Sequence, residues 1–140
     1  MSSRILKPSI LVAAFAIGAA ALYGPAAAAA ELTEQASQAN SVNVSVKPTD
    51  VSPTAKTWTF QIALNTHSGD LSDDLTRTVK LVDSAGKEQP PLAWEGAAAG
   101  GHHRSGVLKF SALSPRPQAL ELRMQRPGET APRTFRWTLK

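Results

Sequence analysis

From Ser41 onward the chain alternates apolar and polar residues with a period of two. Val42, Val44 and Val46 alternate with Ser41, Asn43 and Ser45, and Trp58, Phe60, Ile62 and Leu64 alternate with Thr57, Thr59, Gln61 and Ala63. Leu108 and Phe110 alternate with Val107 and Lys109, Leu120, Leu122 and Met124 with Glu121, Arg123 and Gln125, and Phe135, Trp137 and Leu139 with Arg136, Thr138 and Lys140. Side chains of a strand point to opposite faces in turn, so this pattern predicts strands with one face buried and one wet. Thr78 to Asp83 reads as a further strand closed by Ser84-Ala85-Gly86-Lys87, and Leu92 to Trp94 as a short one.

Between these runs stand Lys47-Pro48, Ser52-Pro53, Ser68-Gly69-Asp70, Pro90-Pro91, Pro115-Arg116-Pro117 and Arg126-Pro127-Gly128, all turn or breaker signals. A helical period is missing after Ala30, and Asp70 to Arg77 has room for one turn of helix at most. Short strands with turns every eight to twelve residues predict an all-β fold, an antiparallel β-sandwich of six to eight strands. Its layout is immunoglobulin-like or cupredoxin-like. Trp58, Phe60, Phe110, Phe135 and Trp137 are the expected core aromatics.

The first thirty residues follow another rule. Arg4 and Lys7 precede the apolar stretch Ile10 to Leu22, Gly24-Pro25 breaks it, and Ala26 to Ala30 offers A-x-A cleavage sites. That is the layout of a secretory signal peptide, with an apolar part shorter than the ~20 residues of a spanning helix. The expected division is a signal peptide over 1–30, a polar flexible lead-in over 31–41 and the sandwich over 42–140. Export to the periplasm or the medium follows, without stable membrane insertion after cleavage.

Charge and composition narrow the chemistry. The formal charge of +4 includes Arg4 and Lys7, so the mature chain carries +2. Nucleic acid is not expected as a partner, because no exposed aromatics interleave with the basic residues. The basic residues Arg123, Arg126, Arg133, Arg136 and Lys140 are expected on or beside the outer faces of the last two strands. With no cysteine, disulfides, zinc–thiolate sites and a cysteine nucleophile are excluded.

Two of three histidines lie in Gly100-Gly101-His102-His103-Arg104-Ser105-Gly106, just before a buried strand. His67 follows the end of the strand Trp58–Leu64. In a sandwich both positions reach the same pole, with Asp70, Asp73 and Asp74 nearby. Imidazole and carboxylate donors suit Cu(II), Zn(II) or Ni(II), so His67, His102, His103, Asp70 and Asp74 are the candidate ligands. Against this, neighbouring side chains on a strand diverge, and an H-H pair has no metal-specific spacing. Gly100, Gly101, Arg104 and Gly106 read as the structural frame of the loop, with Arg104 expected to pair with Asp73, Asp74 or Glu95. The chain has no G-x-S-x-G elbow, S-x-x-K pair or phosphate-cradling loop, so binding rather than turnover is expected.

The run Trp94-Glu95-Gly96 with Gly100 to Phe110, together with Thr66-His67-Ser68 and Thr134-Phe135-Arg136-Trp137, resembles a group of small exported bacterial β-sandwich domains of unassigned function. The resemblance implies the exported sandwich and no activity. Two expectations follow: a domain that binds a divalent metal through the histidines, or a module that docks another protein of the bacterial envelope.

Overall fold

The computed structural model describes residues 32–139. The expected signal peptide lies outside the described residues, and among those described no helix is long and apolar enough to cross a membrane. Among the described residues, nine strands form two antiparallel sheets. One sheet contains β1 (Gln35–Ala39), β2 (Val42–Asp50), β3 (Thr57–Thr66), β6 (Ala93–Gly96) and β7 (His103–Ser111), in the order β1-β2-β3-β7-β6. The other contains β4 (Val79–Val82), β5 (Glu88–Gln89), β8 (Ala119–Met124) and β9 (Arg133–Thr138), in the order β5-β4-β8-β9. A single helical turn, α1 (Leu75–Thr78), carries the chain from β3 to β4. The all-β sandwich expected from the alternation is the fold observed.

The alternation works as a burial code. On β3 the side chains of Trp58, Phe60, Ile62 and Leu64 are sealed between the sheets, as are Leu120, Leu122 and Met124 on β8 and Phe135 and Trp137 on β9. Phe60 links the layers: its ring meets Phe110 edge-on at 5.6 Å and Trp137 of the opposite sheet at 6.1 Å. Edge contacts of this kind add about 0.5–1.5 kcal/mol beyond the area they bury.

Two strands depart from the expected layout. Part of the expected flexible lead-in forms β1, although its sequence Gln-Ala-Ser-Gln-Ala has no large apolar residue and none of its side chains is buried. It is held through its backbone, as described below. The two-residue β5 is the other addition.

The outer face of the four-stranded sheet carries ion pairs within β8 and from β8 to β9 and β5. Glu121 bonds Arg123 at 2.6 Å and Arg136 at 2.9 Å, and Arg123 also meets Glu88 at 3.1 Å. Burial pushes the Glu121 carboxyl up, but the two guanidinium groups outweigh it and hold the group below its ordinary range. Arg126 and Arg133, in contrast, are not on that face: both are buried. The physical reason is partner supply, set out next.

Candidate functional site

The register brings the sequence-predicted loops to one pole. Asn65 pairs with His103 and Leu64 with Arg104, and the Thr66 amide donates to the His102 carbonyl at 2.9 Å. Past β3 the chain is pinned to the loop before β7: Leu71 N–H donates to Gly101 O at 3.0 Å, and Gly100 N–H donates to Leu71 O at 2.8 Å. Gly100 and Gly101 have φ of 113° and 74°, a left-handed pair that permits this tight return.

The five candidate donors are spent separately or stand apart. Asp70 Oδ1 accepts from the Gly101 amide at 2.5 Å. Asp74 caps α1, accepting from the Thr76 amide at 3.1 Å and hydroxyl at 2.6 Å; the hydroxyl bond is the main cause of its lowered pKa. His103 Nδ1 lies 2.7 Å from Asn65 Oδ1, which fixes the ring. His67 and His102 are exposed. Among the described residues, no three His, Asp or Glu side chains stand close enough to hold a metal ion. The pole is shared, and the donors are not gathered.

What the pole does assemble is a buried ionic belt. Arg104, 4% exposed, points inward and donates through Nη1 to the carbonyls of Leu71 (3.1 Å) and Asp73 (2.7 Å). It pairs with backbone rather than with a carboxylate. Its guanidinium also lies over the Trp94 ring at 5.7 Å, while its Nε has no hydrogen-bond partner. The Asp73 carboxylate is taken instead by Arg126, in a two-bond fork at 2.7 and 2.9 Å. Asp73 is therefore the first cause of the raised Arg126 pKa.

The belt continues to the other side of the sandwich. Arg126 reaches Glu129 at 3.3 Å, and Glu129 receives two bonds from Arg133 at 2.5 and 3.0 Å. The Arg133 bond, ahead of Arg126, holds Glu129 below the ordinary carboxylate range. Arg133 then donates to the carbonyls of Ser37, Ala39 and Val42, each at 2.9 Å, binding β1 and β2 to β9. Buried charges persist only when paired or fully hydrogen-bonded, and this set nearly satisfies that condition.

Around β6 the packing is unusually close. A β-carbon added at Gly106 would lie 2.6 Å from Glu95 O and from the Gly96 Cα, and 2.9 Å from the Trp94 ring. The indole thus lies against two bare backbones, with its Nε1 donating to Ala97 O at 2.9 Å. Ala97 N–H donates to Ser105 O, and by antiparallel alternation the backbone groups of Trp94 and Gly96 face away from the sheet. Beside this edge stands Leu92, 61% exposed and, among the described residues, the one large hydrophobic side chain left outside.

Elsewhere a cleft of about 260 Å³ lies between the β4–β5 turn and the β7–β8 connection, lined by Lys87, Gln89, Leu113 and Pro115 among others. It contains none of the sequence-predicted donors. The sequence places Leu92 in a short strand but gives no sign of its exposure, because one apolar residue after Pro90-Pro91 carries no period. Compared with protein-family models, curated proteins and solved structures, the chain shows no match.

Proposed function

We propose that this chain is an exported, non-enzymatic binding domain that docks another envelope protein along the β6 edge. The observation that carries the reading is the contrast among the sheet edges. On one side the β1 and β9 edges are tied together by Arg133 and by the Gln35 side chain, which bonds both the N–H and the C=O of Arg136. The β5 edge is two residues long and runs into Pro90-Pro91. β6 has outward backbone groups at Trp94 and Gly96 and the apolar Leu92 beside them. Such an edge accepts an added strand, with backbone bonds for affinity and side-chain contacts for selection. The leader-like first thirty residues support export. The metal reading lacks geometric support, since the candidate donors are not gathered.

The test is site-specific photo-crosslinking in cells that export the chain, from position 92 and, as control, from Thr134 on the four-stranded sheet. A single adduct from position 92, identified by mass spectrometry, is expected. Binding of that purified protein should then disappear in Leu92→Lys. Equal crosslinking from both positions, or none from position 92, overturns the reading.

A further inference from the structure

β1 and β2 are joined by two residues, Asn40 and Ser41, at φ of 47° and 61°. Two-residue hairpins of this kind require both residues in the left-handed region, where asparagine is tolerated and glycine is favoured at the second position. Ser41 occupies that second position with a β-carbon that opposes it. The hinge is both short and strained.

The strand it holds is attached in a way that does not depend on which copy supplies it. No β1 side chain is buried. β1 pairs with β2 in register from Gln35↔Val46 to Ala39↔Val42. Arg133 takes the carbonyls of Ser37 and Ala39, Gln35 bonds the Arg136 backbone, and Trp137 Nε1 donates to the Thr33 carbonyl at 2.7 Å. Each of these bonds would be remade unchanged with the same segment of a second copy; exchange gives up the turn and the bond that the Thr66 hydroxyl donates to the Ser41 carbonyl at 2.9 Å.

We infer that two copies of this chain exchange β1, with the hinge straightened and each β1 seated on its neighbour's β2. Straightening moves Ser41 out of the left-handed region, and strain in a short hinge is the feature that favours exchange. A second copy is the occupant to which the geometry points, because it alone supplies Thr33, Gln35 and the paired carbonyls in the same register. Exchange at β1 is independent of docking at β6, which lies at the far edge of the same sheet.

Gln38 and Asn43 are register partners flanking the turn. In a two-residue hairpin they form the closely spaced, non-hydrogen-bonded pair, at a separation a disulfide spans. The natural chain has no cysteine, so Gln38→Cys/Asn43→Cys gives a single thiol pair. The mature chain carrying that pair is oxidised across a range of protein concentrations and separated without reductant. Exchange gives a covalent dimer whose share rises with concentration and, while the dimer is the minor species, falls about 25-fold on adding Ser41→Gly, about fivefold for each of the two hinges a dimer straightens. Intramolecular disulfide alone at every concentration overturns the inference. Should the cysteine variant fail to fold, light scattering on the unsubstituted protein decides. A dimer that persists on dilution from a concentrated stock supports exchange, and monomer throughout overturns it.

Discussion

Arg126 grips Asp73 through two near-parallel bonds of 2.7 and 2.9 Å, across 53 positions of chain and out of reach of solvent. The pair joins the loop before α1 to the turn after β8, and through Glu129 it extends to β9. Removing one member strands the other, so Arg126→Met should destabilise the domain by about 3–5 kcal/mol. Replacing Asp73 as well, as Asp73→Leu/Arg126→Met, should return much of that stability, because a well-packed apolar pair replaces buried charge at small net cost. Urea midpoints of the two variants measure this. A single variant within about 1 kcal/mol of the natural protein would make the fork a surface-grade interaction.

Acid should weaken the fold through Glu129 and Glu121. Both carboxyls are held below the ordinary value of 4.5, Glu129 first by its bond from Arg133, Glu121 by Arg123 and Arg136 against the opposing effect of burial. A carboxyl lowered in the folded state contributes stability above its unfolded pKa and loses it as pH falls through the folded one. Stability should therefore be flat from neutral pH to about 5 and fall below about 4.5. Thermal midpoints from pH 7 to 3 test the sign, and Glu129→Gln should flatten the acid limb. A midpoint that rises on acidification contradicts the assignment.

Gly106→Ala inserts a methyl group where backbone atoms of Glu95 and Gly96 stand at 2.6 Å. The neighbouring groups cannot swing aside as a flexible side chain would, so a destabilisation of about 1–3 kcal/mol is expected. Hydrogen exchange should show faster exchange in β6 than in β8. Uniform behaviour across both strands would mean that the close approach is not what seats β6.

Cu(II), Zn(II) and Ni(II) should leave the thermal midpoint of the tag-free mature domain unchanged. A metal held at a hundredfold over its dissociation constant would add about 2.7 kcal/mol, which such a melt resolves easily. An upward shift that disappears in both His67→Asn and His102→Asn would bring back the histidine site.

The fold was legible because strand alternation is a local signal, and β2, β3, β7, β8 and β9 each carry it. The belt was legible too, had phase been applied to charged residues. Arg104 is in step with the buried Leu108 and Phe110, Arg126 with Leu120, Leu122 and Met124, and Arg133 with Phe135 and Trp137. Asp73 stands between the buried Leu71 and Leu75 in the same manner. A charged residue in the inward phase is a buried residue awaiting partners, but which partners it finds is decided by distant segments. β1 was not legible, because it is held by its carbonyls and those leave no mark on side-chain pattern. At the histidine pole, strand order pointed to the correct end of the sandwich, while convergence of the donors was overstated. Nearness of loops does not fix where each ring points, and Asn65 and Gly101 engage two of the proposed donors.

The Arg133 clasp also bears on the order of events in folding. It links β9 to carbonyls 91, 94 and 96 positions earlier, so it closes only when the two ends of the domain meet. Interactions that close such long loops form after the entropy of closure has been overcome, late on the folding route. Arg133→Met should accordingly speed unfolding in a chevron while leaving the refolding rate nearly unchanged. The clasp governs how long the native state lasts once formed, and has little part in how quickly the chain reaches it.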